Sequence, residues 1–143
     1  MRTEEYRQEN LPMKISEEAI RYRELSARCD VYLMLQLYCP GKQVGVPYRR
    51  RMRDLSIEEM NLSVRSSNAL MRANARSFGR VMEILMMEDG LRKIRNLGQK
   101  SEREIIRSFF SSCYYQLNPA EQAVFWQKVI DGQDRKEGAF YDL

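Results

Sequence analysis

The segment Leu91-Arg-Lys-Ile-Arg-Asn-Leu-Gly-Gln-Lys-Ser-Glu-Arg-Glu-Ile-Ile106 decides the fold of this protein. Its pattern predicts the apolar end of one helix, a glycine turn and the start of a second helix. Leu91, Ile94 and Leu97 are spaced to face a core. Gly98 provides a position where the backbone can reverse and where a ligand can approach it closely. A hairpin between two short helices points free backbone N–H groups outward, and such groups suit a phosphate.

Ser101 and Glu104 indicate how the second helix begins. A serine followed three residues later by a glutamate fits a capping box, in which both side chains bond to backbone N–H groups of their own helix. The helix that follows carries an apolar stripe that we expect to be buried: Ile105, Ile106, Phe109, Phe110 and Cys113.

A second informative segment lies upstream and reads Leu62-Ser-Val-Arg-Ser-Ser-Asn-Ala-Leu70. Ser63 is a good helix N-cap. Arg65, Asn68 and Arg72 would project together from one side of the helix, because residues three and four apart share a face. An Arg and an Asn at an exposed helix start can together form a small polar surface that recognises a ligand. The inward face is predicted to consist of Val64, Ser67, Leu70 and Met71.

The motifs Leu62-Ser-Val-Arg-Ser-x-Asn-x-Leu70 and Arg95-Asn-Leu-Gly-x-Lys-Ser-x-x-Glu-Ile105 together resemble the C-terminal domain of the bacterial RNA polymerase alpha subunit. The resemblance covers Leu55 to about Cys113, and it implies a compact helical unit with a helix-hairpin-helix motif. The family's large assembly domain is absent from this sequence. We therefore expect a stand-alone relative of the subunit.

The sequence departs from the family pattern at a few positions. The segment between the two motifs is longer, and Asn74 or Ala75 stands where the family usually has a glycine after the first helix. Asparagine adopts the left-handed turn conformation at small cost, so the fold should be retained. Ala69 stands where the family often has a cysteine, so we expect one weak contact to be missing.

The flanking segments also predict helices. Ser16-Glu-Glu18 opens the first, with acidic residues at its positive end. We expect this helix to continue through Val31–Tyr38, although a strand is possible there. Val31–Tyr38 is apolar on nearly every side, so it must be covered by the unit of residues 61–110 or by a second copy. Asn118-Pro-Ala-Glu121 opens a C-terminal helix in which Trp126 is expected in the core. Gly41–Arg53 is interpreted as a loop or linker.

We therefore predict an all-α protein, a compact helical domain with a helix-hairpin-helix motif and flanking N- and C-terminal helices. The expected parts are residues 1–54, an N-terminal helical extension and basic linker; residues 55–117, the helix-hairpin-helix domain; and residues 118–143, a C-terminal helix and tail. The expected core of the domain is Val64, Leu70, Phe78, Val81, Leu85, Leu91, Ile94, Leu97, Ile105 and Phe109.

Composition excludes several chemical classes. His is absent, which rules out a Ser–His or Cys–His nucleophile pair and a histidine-bearing zinc site. The three cysteines form no CxxC motif, and no phosphate-binding loop sequence exists. We expect no enzymatic activity, no metal and no cofactor. A formal net charge of +4 and a pI of about 9.0 permit nucleic-acid binding without requiring it.

Localisation is predicted from two absences in the sequence. No apolar run reaches membrane length, and the N-terminus has no signal-peptide core. These absences predict a cytoplasmic protein without a membrane partner, and the resemblance to the RNA polymerase alpha subunit implies that it is bacterial and nucleoid-associated.

The resemblance implies a DNA-binding function in transcription. The family's domain binds double-stranded DNA in the minor groove of A·T-rich sequence and also contacts transcription factors. Carried over one residue at a time, the resemblance implies that Arg65 enters the groove and that Asn68 bonds at its edge. It also implies that backbone amides at Gly98 hold a phosphate while Lys100 adds positive charge.

Two further sets of residues each admit two interpretations. Ser101 would add a hydroxyl to the phosphate site, and Glu104 matches a family position near that surface; alternatively, the pair only caps its helix. The basic run that ends at Arg53 has two interpretations. It either keeps a hinge solvated or contacts phosphates beside the helix that carries Arg65. The candidate auxiliary phosphate contacts are Arg49, Arg50, Arg51 and Arg72.

The alternative function is that of a protein-interaction adaptor. Such an adaptor would act through the apolar helix of residues 31–38 or through the helix of Trp126, and would bind RNA polymerase, a transcription factor or a second copy of itself. A homo-oligomer would form through residues 31–38. Arg65 and Asn68 together with the turn at Gly98 favour DNA, because an adaptor has no need of that whole set.

Overall fold

The protein is helical throughout most of the part that the computed structural model describes, which is residues 14–132 and 140–142. Three short 3-10 helices complete the helical set: Arg50–Met52, Ile57–Met60 and Gly90–Lys93. The α-helices and strands in sequence order are α1 (Glu17–Leu25), α2 (Val31–Tyr38), β1 (Gln43–Gly45), α3 (Val64–Arg72), α4 (Phe78–Leu85), α5 (Gln99–Gln116), α6 (Pro119–Asp131) and β2 (Phe140–Asp142). The predicted all-α class is confirmed, with one short strand pair added.

The protein divides into two compact units. Residues 46–113 form the central unit, and the described residues 14–45, 114–132 and 140–142 belong to the flanking unit. The boundary on the C-terminal side falls within α5, immediately before Tyr114.

The central unit has a core of aromatic and aliphatic side chains. The rings of Phe78 and Phe109 meet edge to face with centroids 5.3 Å apart. The segment before α3 is pinned to the start of α4, where the Phe78 N–H donates to the Leu55 carbonyl at 2.9 Å. Other buried residues of this core are Met52, Ile57, Met60, Leu70, Val81, Leu91, Ile94, Ile105 and Phe110.

Gly79 allows a close approach inside the central unit. Its N–H donates to the Arg53 carbonyl at 3.0 Å, and a Cβ at this position would lie 2.7 Å from Arg53 Cγ and 3.1 Å from the Arg53 carbonyl oxygen. A side chain at residue 79 would therefore push α4 away from the segment that ends at Arg53.

The predicted inward face of α3 is wrong by about one position. Val64 is 76% exposed and Met71 is also exposed, whereas Ser66, Ala69 and Leu70 are the buried residues. The reason is the cap: with Ser63 as N-cap, Val64 is the first helical residue and points outward at the helix end. Leu97 is only half-buried, because it lies in the turn before α5. Leu97 and Val64 are thus not part of the buried core.

Asn74 and Asn96 make two of the reversals in the central unit, where Asn61 and Gly90 also have positive φ. Asn74, after α3, has φ 60°, as expected from its place in the family's glycine position. Asn96, before α5, has φ 64°, so the backbone reverses at Asn96 and not at Gly98. Gly98 does not have a positive φ. The glycine-turn prediction is therefore wrong about which residue adopts the left-handed conformation.

The two flanking helices α1 and α6 pack against each other. The Ser16 N–H donates to Gln127 Oε1 at 2.7 Å, and Arg23 Nε donates to Gln122 Oε1 at 3.2 Å. The predicted cap of Ser16 is confirmed, since its side chain accepts from the Ala19 N–H. The predicted continuous helix is not: it breaks after Leu25 and restarts at Val31 with Asp30 as N-cap.

A buried hydrogen-bond network ties the flanking unit together. Ser26 Oγ donates to the Arg23 carbonyl at 2.6 Å, which uses its only hydrogen. Tyr114 therefore donates its hydroxyl hydrogen to Ser26 Oγ at 2.6 Å and accepts from Trp126 Nε1 at 2.8 Å. Trp126 is fully buried, which confirms its predicted core position. Burial raises the pKa of Tyr114 to about 12.

The segment interpreted as a loop or linker contains regular structure. Strand β1 pairs antiparallel with β2, with Val44 opposite Tyr141. Lys42 Nζ donates to the carbonyls of Val129 and Ile130 at 3.0 and 3.3 Å. A cation at this place satisfies the free carbonyls and the negative end of α6.

The start of α6 was predicted correctly in detail. Asn118 accepts from the Glu121 N–H at 2.8 Å, and Glu121 accepts from the Asn118 N–H at 3.0 Å, so the capping box is complete. Gly132 ends the helix with φ 68°. None of the helices within the described residues has both the length and the apolar character that a membrane crossing requires.

Candidate nucleic-acid interface

The start of α3 exposes polar side chains. Ser63 Oγ accepts from the Ser66 N–H at 3.3 Å and so caps the helix. Arg65 and Asn68 are both exposed, and Arg72 is exposed two turns from the start. Their spacing of three and seven residues places them on one face of α3.

Glu104 joins the start of α5 to the start of α3. Its Oε2 accepts from the Ser63 N–H at 2.8 Å, and its Oε1 accepts from Ser63 Oγ at 2.7 Å. Ser66 Oγ also donates to Oε1 in a short hydrogen bond. One carboxylate thus satisfies one of the free N–H groups at the start of α3 and fixes two hydroxyls.

These contacts keep Glu104 ionised. The hydrogen bond from Ser66 lowers the pKa of the Glu104 carboxyl, and so do the bonds from Ser63 and the charge of Lys100, while partial burial acts in the opposite direction. The net effect is a pKa below the ordinary value for glutamate. The carboxylate is therefore a stable negative acceptor between two helix starts.

The capping box predicted within α5 does not form. Helix α5 begins at Gln99, so Ser101 lies inside the first turn and is buried. The Gly98 carbonyl accepts from the Glu102 N–H at 3.0 Å, which makes Gly98 the residue at the helix start. Glu104 bonds to another helix instead of its own, because tertiary packing brings the donors of Ser63 and Ser66 within reach.

Gly98 and Lys100 are exposed at the start of α5. A Cβ at Gly98 would meet nothing within 4 Å, so the backbone there is open to an approaching group. Lys100 lies one turn before Glu104 and contributes to its lowered pKa. Because Glu104 fastens α5 to α3, the two exposed pairs, Arg65 with Asn68 and Gly98 with Lys100, are brought to the same pair of joined helix starts.

The auxiliary arginines occupy a different element. Arg50 and Arg51 belong to the 3-10 helix Arg50–Met52 and are exposed, and Arg49 precedes it. Arg49 is half-buried, and its buried Nε has no hydrogen-bond partner among the described residues. Arg72, at the end of α3, is the only auxiliary arginine on the same helix as Arg65.

A basic groove in the central unit was missed by the sequence analysis. Its volume is about 590 Å³, and its lining includes Arg72, Arg80, Lys93 and Arg95. The sequence signal that could have indicated it is the concentration of cations in Arg92-Lys-Ile-Arg95, but only the fold brings these residues to Arg72 and Arg80.

Two of the three cysteines, Cys39 and Cys113, are buried. Burial raises the pKa of the Cys113 thiol and of the Cys39 thiol, which keeps both protonated and poorly nucleophilic. Across the described residues, no group of three or more His, Cys, Asp or Glu side chains is arranged to hold a metal ion.

Comparison with known proteins finds a similarity that lies within the central unit. Residues 47–109 match the family model for the C-terminal domain of the bacterial RNA polymerase alpha subunit. The DNA-directed RNA polymerase subunit alpha of Moorella thermoacetica is 44% identical over 57 residues, which cover 40% of this protein and 18% of that subunit.

Two other alpha subunits are similar to this protein over segments of different length. That of Syntrophomonas wolfei is 50% identical over 54 residues, covering 38% of this protein and 16% of the subunit. That of Cyanophora paradoxa is 43% identical over 82 residues, covering 52% of this protein and 25% of the subunit. No solved structure matches this protein.

The protein thus spans a quarter or less of the length of these relatives, and the similarity is confined to one domain of them. The exposed Arg65 and Asn68, the turn at Gly98 and the family match all fall within the same segment of the sequence. Residues 47–109 of this protein are therefore similar to the C-terminal domain of RNA polymerase alpha subunits.

Proposed function

We propose that this protein binds double-stranded DNA and acts in transcription, using the start of α3 and the start of α5 to contact the minor groove of A·T-rich sequence and its phosphates. The observation that supports this most is the Glu104 link, because it joins the helix that exposes Arg65 and Asn68 to the helix whose start exposes Gly98 and Lys100. The RNA polymerase alpha family of the domain is consistent with this function.

Each exposed residue has a distinct role in the proposal. Arg65 enters the minor groove, where narrow A·T-rich sequence concentrates negative potential. Asn68 bonds at the groove edge, and Gly98 offers open backbone to a phosphate. Lys100 supplies charge to the phosphates, and Arg72 with Arg49, Arg50 and Arg51 adds sequence-independent attraction.

Ser101 and Glu104 are positioning residues in this proposal. Ser101 is buried, so its contribution is to the packing of the first turn of α5. Both oxygens of Glu104 accept hydrogen bonds from Ser63 and Ser66. An unbonded carboxylate facing DNA would be repelled by the phosphates. The hydrogen bonds from Ser63 and Ser66 hold the carboxylate of Glu104 against the start of α3 instead.

The proposal includes no catalytic role, metal or cofactor. The domain acts by binding, within the cytoplasm and in association with the nucleoid. RNA polymerase and transcription factors are its proposed protein partners.

The test is a titration of A·T-rich and G·C-rich duplexes at two salt concentrations. Arg65→Ala should weaken binding and reduce the preference for A·T-rich duplex, because a groove-inserted Arg reads groove width as well as charge. Lys100→Ala should weaken binding to both duplexes equally and make the salt dependence shallower, since one phosphate contact is lost. The matched control is Arg76→Ala, which removes an exposed arginine from the turn before α4.

The titration can also contradict the proposal. If folded Arg65→Ala protein binds both duplexes as the wild type does, the minor-groove mechanism is wrong. If the wild type binds no duplex at low salt, DNA binding itself is wrong.

A second candidate function is supported by α2. Leu37 is 61% exposed, and Leu33 and Tyr38 beside it are exposed as well, so this helix keeps an uncovered apolar side. We propose, as the alternative, that this side binds RNA polymerase, a transcription factor or a second copy of the protein. Leu37→Lys should abolish such binding without changing DNA affinity, as measured by sedimentation of the protein alone and with the polymerase.

A further inference from the structure

The central unit contains an open groove at the opposite end of α3 from Ser63, the residue that caps the start of this helix. It lies between the end of α3, helix α4 and the segment of residues 93–96, and its volume is about 590 Å³. This volume is in the range of clefts that hold a drug-sized ligand. The turns on two of its sides are defined by Asn74 and Asn96, which both have positive φ.

The groove is positively charged. Arg72, Arg80, Lys93 and Arg95 line it, and none of its lining residues is acidic. Arg80 Nη1 is paired with Glu83 Oε1 at 2.9 Å. Arg72, Lys93 and Arg95 have no ion-pair partner within the described ranges 14–132 and 140–142. A concave surface with one sign of charge attracts a ligand of the opposite sign.

The groove also has an apolar side. Ile84 and Ile94 contribute to its lining, and Met87 is 38% exposed there. A DNA backbone would satisfy the cations but would leave Met87 against charged phosphates. A peptide that carries both carboxylates and an apolar side chain complements both parts of the lining.

We propose that this groove binds an acidic peptide segment of a partner protein. Carboxylates of the segment pair with Lys93 and Arg95, and one apolar side chain rests on Ile84 and Met87. Arg72 lies on the same helix as Arg65, so the partner would sit beside the proposed DNA surface without covering the start of α3.

The probe is a fluorescent synthetic peptide in which Asp and Glu alternate with Phe and Leu. Two control peptides separate the contributions: one replaces Phe and Leu by Ser, and the other replaces Asp and Glu by Asn and Gln. Binding to the 143-residue protein is measured by fluorescence anisotropy at two salt concentrations. Wild-type protein should bind the probe more tightly than either control peptide.

Lys93→Gln/Arg95→Gln is the central variant. It should weaken probe binding at least about fivefold, because two exposed charge pairs are lost, and it should flatten the salt dependence. Its matched control, Arg28→Gln/Arg76→Gln, removes the same charge from exposed positions outside the groove and should bind the probe as the wild type does. Met87→Ser should weaken binding equally at both salt concentrations.

Duplex titration of the same variants separates a peptide from DNA as the occupant. The proposal expects Lys93→Gln/Arg95→Gln to affect duplex affinity no more than Arg28→Gln/Arg76→Gln does, while Arg65→Ala lowers it. A larger loss of duplex affinity in the groove variant, without probe binding by the wild type, would assign the groove to DNA and overturn the proposal. Equal binding of the probe and both control peptides would overturn it too.

Discussion

The central unit and the flanking unit use polar side chains in opposite ways. In the flanking unit, the hydroxyls of Ser26 and Tyr114 and the indole N–H of Trp126 are buried and bond to one another. In the central unit, the polar contact that joins two helices is the Glu104 carboxylate, which is only half-buried and lies beside the exposed Arg65. Buried polar networks specify packing, whereas polar groups at exposed helix starts remain available to a ligand.

The family match follows the same division. It covers residues 47–109, which lie within the central unit and include every proposed DNA-contacting residue from Arg65 to Lys100. In the flanking unit, polar groups of the helices bond to one another, as Ser16 does to Gln127 and Trp126 does to Tyr114. The proposed DNA-contacting residues therefore belong to the central unit, and the buried polar groups of the flanking unit bond to one another.

The largest expected effect tests whether both units have a true core. Phe109→Ala and Trp126→Ala should each lower the free energy of unfolding by about 3–5 kcal/mol, because both side chains are fully buried. Leu97→Ala, at a half-buried turn position of the central unit, should cost less than about 2 kcal/mol. Urea unfolding measures all three. A cost below that of Leu97→Ala for either aromatic would contradict the core assignment of its unit.

Tyr114→Phe should have the next largest effect. It removes one hydrogen bond to Ser26 and leaves the buried Trp126 Nε1 without its acceptor, at a cost of about 1–3 kcal/mol. Tyr38→Phe is the matched control and should cost less, since Tyr38 is 50% exposed.

The stability difference between wild type and Tyr114→Phe should also depend on pH. The folded-state pKa of Tyr114, about 12, lies above the ordinary value of about 10. The stabilisation is therefore complete below about pH 10 and is lost as the pH rises toward 12. The stability difference between wild type and Tyr114→Phe should shrink over this interval. A difference that stays constant would place Tyr114 outside a buried environment.

Glu104→Gln should have the smallest effect on stability. An amide can accept from Ser63 and Ser66 only in part, because its NH₂ group cannot accept, so the start of α3 should be loosened. The folded-state pKa of Glu104 is lowered, so its stabilisation is present above the ordinary value of about 4.3 and is lost as the pH falls through the lower folded value. Thermal unfolding from pH 7 downward measures the difference between variant and wild type.

The matched control for Glu104 is Glu83→Gln, which removes an exposed carboxylate that pairs only with Arg80. If Glu104→Gln and Glu83→Gln show the same pH profile, the Glu104 link does not hold the two helix starts. DNA affinity of Glu104→Gln should fall if the link positions Arg65, although residue 104 itself becomes less negative.

Local sequence signals determined the helix starts whose caps come from nearby residues. Ser16, Ser63 and Asn118 cap their helices as predicted, because a cap needs only a side-chain oxygen and the N–H groups two or three residues later. Asn74 adopts the left-handed conformation for a similarly local reason. The motifs around Arg65 and Gly98 also indicated the family, because residue types at fixed spacing are a property of the sequence alone.

Tertiary structure decided what depends on distant residues. Ser101 and Glu104 have the spacing of a capping box, yet Glu104 bonds to Ser63 and Ser66 because packing places stronger donors beside it. The pairing of α1 with α6 required contacts between segments far apart in the sequence, such as Ser16 with Gln127. The groove lined by Arg72 and Arg95 has the same origin. The periodicity of apolar residues describes each helix separately, whereas these features depend on which helices pack against each other.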